Sequence, residues 1–352
     1  MKILLDVMGG DHAPDEFIKG AVETIEELEK DTKIILIGNE KIIKEKIKEL
    51  YNKEDVSEIS DRLLIQNATE VISNHESPTE ALKTKKDSSM VVGFKMLKEN
   101  EGDVFVSAGS TGALMAGGLL KVGRIKGIDR PALCPLLPTI DGVGFMLLDV
   151  GANTNCKPIN LIQFAQMGSI YMSKTLGIEN PPVGLLNIGE EEEKGNELTK
   201  DVHQKLKNQK DINFYGNIEG RDMFDGNVRV VVTDGFTGNV ALKTIEGIAS
   251  TLGNMLKEEL TANLPRKIGA GILTATGAIG SFKKRIDPSE YGGALLLGID
   301  KPMVKCHGNG KAKVVKIVLK QAETFVNAKV VETIKDTIKE TVIDKKTTVD
   351  NS

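Results

Sequence analysis

The chain repeats one short pattern whose residue types suit the binding of an anion. The two copies run from Val104 to Met115 and from Val230 to Ala241. In each copy, three β-branched or aromatic residues lead to a hydroxyl residue, then to the pattern G-x-T-G and an apolar stretch with helical spacing. A junction of strand, glycine turn and helix directs backbone N–H groups and the positive end of the helix dipole at one point. The repeat therefore predicts two phosphate-binding junctions that face a shared cleft.

Amide, carboxylate and basic side chains also follow predicted strands. They are Asp6, Asp11, Asn153, Asn155, Asn187, Glu190, Asn217, Arg221, Asp234 and Asn239, with Lys194 close by. The sequence has no H-E-x-x-H zinc motif, no G-x-S-x-G elbow and no P-loop, and neither copy of the repeat is G-x-G-x-x-G. What remains suits a nucleophile that is already ionised, such as inorganic phosphate. Backbone N–H groups, Asn and Lys can stabilise the oxyanion that forms when phosphate attacks a carbonyl, without a metal.

Each of these features also has a structural explanation that the residues alone leave open. A G-x-T-G after a strand is often only a tight turn. The acidic run from Glu190 to Glu193 suits a solvated loop better than a metal site. Lys194 could equally be an ordinary surface lysine, and Asn239 could be only the N-cap of the long helix that follows. A lone histidine such as His307 is more often structural than catalytic.

Alternating strands and helices would position these residues. Most predicted strands, such as Lys2 to Val7 and Phe145 to Val150, are continuous apolar runs. Such runs predict a three-layer α/β/α fold with a mostly parallel sheet that is covered on both faces. Ligands of α/β sheets bind at the carboxyl ends of the strands, and the glycine turns lie at those ends.

Composition narrows the class of protein further. The chain has 352 residues, of which 40% are hydrophobic and 4% aromatic, with a net charge of −4. The scarcity of aromatic residues and the negative charge disfavour nucleic-acid binding. Three scattered cysteines fit a reducing cytosol, and no signal peptide or membrane span is expected. Since no linker is visible, residues 1–335 are expected to form one catalytic unit with two lobes, followed by a helix end and polar tail at 336–352.

One apolar segment has no evident role in catalysis. From Ile268 to Phe282 every residue is uncharged, and basic residues flank it at 266–267 and 283–285. Such a segment suits the headgroup region of an anionic membrane, and its small residues equally suit a buried subunit contact. Together with the preceding helix it predicts a protruding helical hairpin over about residues 239–285, whose body pairs subunits and whose tip contacts lipid.

Blocks of sequence along nearly the whole chain resemble the PlsX family, the phosphate acyltransferases of bacterial phospholipid synthesis. The first block is DVMGGDHAP at 6–14. Others are KKDSSM at 85–90, SAGSTGA at 107–113, RPA at 130–132, LDVGAN at 148–153, NIGE at 187–190 with KG at 194–195, GNIEGRD at 216–222, TDGFTGNVALK at 233–243, YGGA at 291–294 and HG at 307–308. They follow the family order from Met1 to about Asn327.

The resemblance implies a reaction in which acyl-acyl carrier protein and inorganic phosphate give acyl phosphate and free carrier protein. It implies a fold similar to phosphotransacetylases and isopropylmalate dehydrogenases, and a cytoplasmic homodimer that associates peripherally with the membrane. No nucleotide, metal or other cofactor is expected. Lys194 and Asn239 match the family's catalytic lysine and asparagine. The residues expected to shape the phosphate and substrate site are Asp6, Gly9, Gly10, Asp11, Gly109, Thr111, Gly112, Asn153, Asp234 and Gly235.

Two positions depart from the family pattern. Ser110 stands where the family usually has Asn, which keeps a hydrogen-bonding group but shortens its reach. Lys83 stands where Arg is frequent, which keeps the charge without a bidentate fork.

Two other functions remain open on the sequence. A phosphotransacetylase-like enzyme that uses acyl-CoA would share the chemistry, and a non-enzymatic scaffold that docks on membranes would explain the apolar segment. For the acyl carrier protein, which is acidic, a basic docking patch is expected from Arg221, Lys305, Lys311 and Lys313.

Overall fold

The computed structural model describes residues 1–286 and 288–338 of the chain. The strands in these ranges are β1 (Lys2–Asp6), β2 (Lys33–Gly38), β3 (Leu63–Asn67), β4 (Val104–Ser107), β5 (Ala132–Cys134), β6 (Leu136–Leu137), β7 (Phe145–Leu148), β8 (Val183–Leu186), β9 (Phe214–Ile218), β10 (Val230–Val232), β11 (Ala294–Leu297) and β12 (Met303–Lys305). The helices are α1 (Asp15–Ile25), α2 (Glu40–Tyr51), α3 (Pro78–Thr84), α4 (Ser89–Lys98), α5 (Thr111–Gly117), α6 (Pro158–Leu176), α7 (Glu197–Lys207), α8 (Gly235–Thr261), α9 (Leu264–Ala275), α10 (Ala278–Ile286) and α11 (Ala312–Asn327), and a last helix covers 330–338.

Unit 1 comprises Met1–Cys134, Ile170–Glu179 and the chain from Gly292 onward. Its sheet has the order β3-β2-β1-β4-β12-β11-β5. The strands from β3 to β12 pair in parallel, whereas β11 pairs antiparallel with both of its neighbours. β4 is buried at all four residues, as expected for an apolar strand covered on both faces. α1 and α11 pack closely, since a Cβ added to Gly20 would lie 2.6 Å from the Cβ of Val315.

Unit 2 comprises Pro135–Ser169 and Asn180–Tyr291. Its sheet has the order β6-β7-β10-β8-β9, in which β7, β10, β8 and β9 are parallel and β6 is an antiparallel edge strand. β7, β8 and β10 are fully buried. The predicted α/β class with mostly parallel sheets is confirmed. That residues 1–335 act as one catalytic body stays a prediction, and most of the predicted tail at 336–352 lies outside the described residues.

The apolar segment forms parts of two helices. α9 packs on α8 and α10 packs on α9, and Gly277 separates α9 from α10 with φ at +79°. Only Gly235 and Gly238 are buried in α8, and no residue of α9 is buried. Ile272 on α9 is 62% exposed and Leu252 on α8 is 56% exposed. Side chains 283–285, which include the second basic flank, lie outside the described part. Within the described ranges, no helix combines the length and apolarity that a membrane crossing requires.

Candidate functional site

In unit 1, the carboxylate of Asp6 joins the ends of two central strands. Asp6 is fully buried at the end of β1 and accepts hydrogen bonds from the N–H groups of Met8 and Gly9, both at 3.1 Å. It also accepts one from the hydroxyl of Ser107, the last residue of β4, at 2.7 Å. Burial raises the pKa of Asp6 above its ordinary value, and hydrogen bonds from Ser107, Ser89 and the two N–H groups partly offset this effect. The buried Asp6 carboxylate thus holds the backbone of the loop that follows β1, which contains Gly9 and Gly10.

The loops after β1, β4 and β12 contact one another at glycines. A Cβ added to Gly9 would lie 2.6 Å from the backbone nitrogen of Gly109 and 2.8 Å from its Cα, so no larger residue fits there. Gly10 adopts φ +109°, a conformation that side chains disfavour. The N–H of Asp11 donates to the carbonyl of Gly308 at 2.8 Å, which ties in the loop after β12. Three strand ends therefore form one compact group of loops.

The first copy of the repeat ends β4 and begins α5, with Ser110 as the N-cap. The hydroxyl of Ser110 accepts a hydrogen bond from the N–H of Ala113 at 3.4 Å. The N–H groups of Thr111 and Gly112 make no hydrogen bond to any residue in 1–286 or 288–338, and both residues are exposed. This junction therefore keeps two amide donors available for an anion.

The four basic residues expected to form a docking patch differ in their contacts and exposure. The ammonium group of Lys305 donates to the carbonyls of Ala108 at 3.1 Å and Cys306 at 2.6 Å. It therefore stabilises the backbone just before Gly109. Arg221, in unit 2, pairs with the carboxylates of Glu219 and Asp222. Lys311 and Lys313 are exposed at the start of α11. The patch itself stays a prediction.

Unit 2 repeats the arrangement of unit 1, with Asp149 in the place of Asp6. Asp149 follows β7, is fully buried, and accepts hydrogen bonds from the N–H groups of Ala152 at 3.1 Å and Asn153 at 2.7 Å. The side-chain amide of Asn153 adds a third at 3.0 Å. A Cβ added to Gly235 would lie 2.6 Å from Oδ2 of Asp149. Sequence reasoning missed Asp149 as a site residue, although the shared L-L-D-V at 4–7 and 147–150 was the signal.

In the second copy of the repeat, a side chain of the protein already occupies the start of the helix. Asp234 is the N-cap of α8 and accepts from the N–H groups of Phe236 at 3.0 Å and Thr237 at 2.9 Å. The N–H of Gly235 donates to the carbonyl of Asn153 at 2.8 Å. The expectation of unpaired N–H groups is therefore wrong for this junction, because the Asp234 carboxylate accepts from two of them and the carbonyl of Asn153 accepts from the third. The carboxylate also complements the helix dipole.

Asn239 lies one turn inside α8, beside the loop that follows β7. It is not the N-cap, since α8 begins at Gly235 and Asp234 caps it. A Cβ added to Gly151 would lie 3.5 Å from Oδ1 of Asn239, so this glycine brings the loop close to the amide. Asn239 is exposed, and its side chain makes no hydrogen bond within the described part of the chain. Its amide donors are thus available to a substrate.

Lys194 lies in the loop between β8 and α7, and its backbone is held on both sides. Its N–H donates to the carbonyl of Glu191 at 3.1 Å, and its own carbonyl accepts from Nδ2 of Asn187 at 3.1 Å. The carbonyl of Glu191 also accepts from Nδ2 of Asn217 at 2.8 Å. The ammonium group of Lys194 is exposed and forms no ion pair with residues 1–286 or 288–338, although Glu190 to Glu193 precede it.

The order of strands in unit 2 brings these residues to neighbouring strand ends. β10, which precedes Asp234 and Asn239, lies between β7, which precedes Asn153, and β8, which precedes Lys194. Because the three strands are parallel, their carboxyl ends share one edge of the sheet. Unit 2 thus collects Lys194, Asn239, Asn153, Asp234 and Gly235, whereas the expected residues from Asp6 to Gly112 lie in unit 1. No group of three or more His, Cys, Asp or Glu side chains in the described ranges is arranged to hold a metal ion.

Solved structures show the same fold. The chain superposes on a phosphotransacetylase from Streptococcus pyogenes with a TM-score of 0.59, covering 93% of this chain and 94% of that one at 14% identity. It superposes on a branched-chain phosphotransacylase from Enterococcus faecalis with a TM-score of 0.55, covering 92% and 99% at 14% identity. The predicted likeness to the phosphotransacetylase fold is confirmed.

Sequence comparison shows the family. The family model described as "Fatty acid synthesis protein" matches residues 1–333. A phosphate acyltransferase of Thermoanaerobacter pseudethanolicus is 52% identical over 96% of this chain and 97% of its own length. That of Bacillus subtilis is 45% identical over 98% of this chain and all of its own length. Together with the glycine junctions of both units, these matches confirm the PlsX resemblance, and the chain belongs to the fatty acid synthesis protein family.

Proposed function

We propose that this chain is a phosphate acyltransferase that moves a fatty acyl group from acyl-acyl carrier protein to inorganic phosphate. The observation that carries the proposal is in unit 2, where Lys194 and Asn239 follow neighbouring parallel strands and present polar groups without a protein partner among the described residues. The relatives named phosphate acyltransferase match almost the whole chain at 45–52% identity, which supports the same activity here.

The reaction needs no external base. An oxygen of HPO₄²⁻ attacks the thioester carbonyl carbon, so that a C–O bond forms and the carbonyl oxygen becomes an oxyanion. The oxyanion then collapses, the C–S bond breaks, and the carrier thiolate takes the phosphate proton. The products are acyl phosphate and free carrier thiol. The protein's contribution is to orient phosphate and to stabilise the negative charge of the intermediate.

We assign the stabilisation of this negative charge to Lys194, which is a cation, and to Asn239, which is a neutral hydrogen-bond donor. The Lys194 ammonium neutralises charge on phosphate or the oxyanion, and the Asn239 amide donates a hydrogen bond. Asn153 holds the loop beside them through its two bonds to Asp149. In unit 1, the N–H groups of Thr111 and Gly112 have no partner within 1–286 or 288–338, which supports an anion-binding role for the first glycine junction.

The test compares donors and variants in one assay. Thiol release and acyl phosphate are followed with palmitoyl-acyl carrier protein and with palmitoyl-CoA, each with and without phosphate. The proposal requires phosphate-dependent turnover with the carrier-protein donor, and turnover with acyl-CoA alone would assign the acyl-CoA activity instead. Lys194→Ala should lower kcat sharply. Lys200→Ala, which removes another exposed lysine nearby on α7, is the matched control.

We also propose that the carrier protein docks on basic side chains, of which the exposed Lys311 and Lys313 are the best candidates. Steering between an acidic carrier and these lysines would weaken with salt. KM for the carrier substrate should therefore rise with ionic strength, and Lys311→Glu should raise it further. A carrier KM that is insensitive to salt would contradict docking by charge.

The exposed apolar face of α8, α9 and α10 supports the two remaining proposals. We assign α8 to the contact between the two subunits of a homodimer, and the region from Ile268 to Phe282 to peripheral contact with the cytoplasmic face of an anionic membrane. Leu252→Glu should shift the molar mass in light scattering from dimer to monomer. Ile272→Glu should abolish sedimentation with anionic liposomes. Liposome binding by a chain with no acyl-transfer activity would favour the scaffold function.

A further inference from the structure

A buried histidine of unit 2 is connected by hydrogen bonds to the backbone of Lys194. His203 lies on α7, is 4% exposed, and packs edge-on against Phe214 of β9. Its Nδ1 lies 2.9 Å from Oδ1 of Asn217. Nδ2 of Asn217 lies 2.8 Å from the carbonyl oxygen of Glu191, and the N–H of Lys194 donates to that same oxygen at 3.1 Å. Three hydrogen bonds thus connect the imidazole ring to Lys194.

The direction of each hydrogen bond in this chain is fixed by chemistry. A backbone carbonyl oxygen can only accept, so the NH₂ group of Asn217 must face Glu191. The amide oxygen of Asn217 then faces His203, and an oxygen can only accept there as well. Nδ1 of His203 must therefore carry the hydrogen. The ring holds the amide of Asn217 in the one orientation that lets it donate to Glu191.

The other ring nitrogen does not compete for this role. Nε2 of His203 lies 3.8 Å from Oε1 of Glu192, which is beyond hydrogen-bond distance. Glu192 is itself paired with Lys207. Since Asn217 is also buried at 4% exposure, loss of the imidazole donor would leave its amide oxygen without a partner inside the protein.

We propose that His203 is a positioning residue for Lys194, acting through Asn217 on the peptide group of Glu191. The inference rests on the proposed function only in taking Lys194 as the residue that needs a fixed position. Lys194 lies in the short loop between β8 and α7, and its ammonium group is exposed. The position of that ammonium group therefore depends on the hydrogen bonds that hold the backbone of the loop. Asn187 holds one side, and the His203–Asn217 pair holds the other.

Three variants test this role in the full-length protein. His203→Leu removes the donor and keeps an apolar side chain of similar bulk. His203→Asn places an amide N–H where Nδ1–H was. Val202→Ala, the matched control, shortens the neighbouring buried residue of α7, which makes no side-chain hydrogen bond. We expect His203→Leu to lower kcat/KM for phosphate roughly 10- to 100-fold, as a small misplacement of a reacting group does. We expect His203→Asn to recover most of that loss, and Val202→Ala to lower only the melting temperature.

A double-mutant cycle separates action through Asn217 from general destabilisation. Asn217→Leu should lower kcat/KM by a similar factor, and adding His203→Leu to it should cost less than about twofold more. Fully additive losses, a His203→Leu enzyme with wild-type kinetics, or a His203→Asn enzyme as impaired as His203→Leu would each overturn the proposal.

Two readouts do not depend on the acyltransferase activity. Nitrogen-15 shifts of the His203 ring should show the Nδ1-protonated tautomer, and the rate at which a small amine-reactive reagent labels Lys194 should change in His203→Leu but not in Val202→Ala. A ring protonated at Nε2 alone, or an unchanged labelling rate, would overturn the positioning role. A wild-type chain without phosphate-dependent acyl transfer would instead refute the proposed function, and these two readouts would still decide the role of His203.

Discussion

Replacing Asn239 by alanine should separate activity from stability more cleanly than any other change in the chain. The side chain is exposed within α8 and makes no hydrogen bond in the described ranges. Removing it therefore breaks no hydrogen bond within the described ranges. Alanine is a better helix former than asparagine by about 0.5 kcal/mol, so the free energy of unfolding should stay the same or rise slightly.

The same change should remove a donor to the oxyanion. Loss of one such donor costs on the order of 10²–10³ in kcat, or about 3–4 kcal/mol of transition-state stabilisation. The two effects of Asn239→Ala thus have opposite signs, which a general loss of structure cannot produce. Asn254→Ala is the matched control, because Asn254 is another exposed asparagine of α8 that takes no part in the proposed reaction, although it lies on the helix assigned to the subunit contact. It should gain the same helix propensity and keep full activity.

The assay combines initial rates of acyl phosphate formation at saturating substrates with thermal unfolding of the same samples. We expect kcat to fall by at least about a hundredfold in Asn239→Ala while the melting temperature does not decrease. A kcat within about threefold of the wild type would refute the role of Asn239 in the reaction. A melting temperature that falls together with kcat would show that the side chain has a structural partner.

Three further predictions concern the framework of the site. Gly9→Ala should cost about 1–3 kcal/mol of stability or more by chemical denaturation, because its Cβ meets the backbone of Gly109 at 2.6 Å, whereas Gly220→Ala, with no atom within 4 Å, should be neutral. Asp234→Ala should cost about 1–2 kcal/mol because the N-cap is lost, and Asp234→Asn should recover most of it; equal losses would mean that the cap is not the cause. The pKa of Asp141 is held well below its ordinary value, first by hydrogen bonding to Arg229. A carboxyl with a depressed folded pKa adds stability above its unfolded pKa and loses it as the pH falls through the folded pKa. Asp141→Asn should therefore lower the melting temperature at pH 7, and the difference from wild type should shrink as the pH falls below about 4; a difference independent of pH would contradict the ion pair.

The α/β class was predictable because it follows from local pattern. Continuous apolar strands such as Phe145–Leu148, each followed by a glycine turn and a helix, leave little choice but parallel sheets buried on both faces. The assignment of strands to two sheets was not predictable, since the chain leaves unit 1 after Cys134 and returns to it at Ile170 and again at Gly292, with no linker visible in the sequence.

The sequence was sufficient to predict most of the residues that belong to the candidate site. It was not sufficient to predict which hydrogen bonds those residues make. The repeated G-x-T-G marked both junctions, but the pattern is silent on what occupies the first N–H groups of the helix. Asp234 occupies them in one copy, and Ser110 leaves two of them open in the other. Asp149 was missed although the repeated L-L-D-V marked its position. His203 was missed because its hydrogen bond to Asn217 joins residues 14 apart, and its burial is not visible in the sequence pattern.

The most direct test of the central claim is the balance of products from palmitoyl-acyl carrier protein. Free carrier thiol and acyl phosphate are measured in the same reaction with phosphate present and with phosphate omitted. We predict no release without phosphate and equal amounts of the two products with it. Thiol release at the same rate without phosphate, with free fatty acid in place of acyl phosphate, would contradict transfer to phosphate.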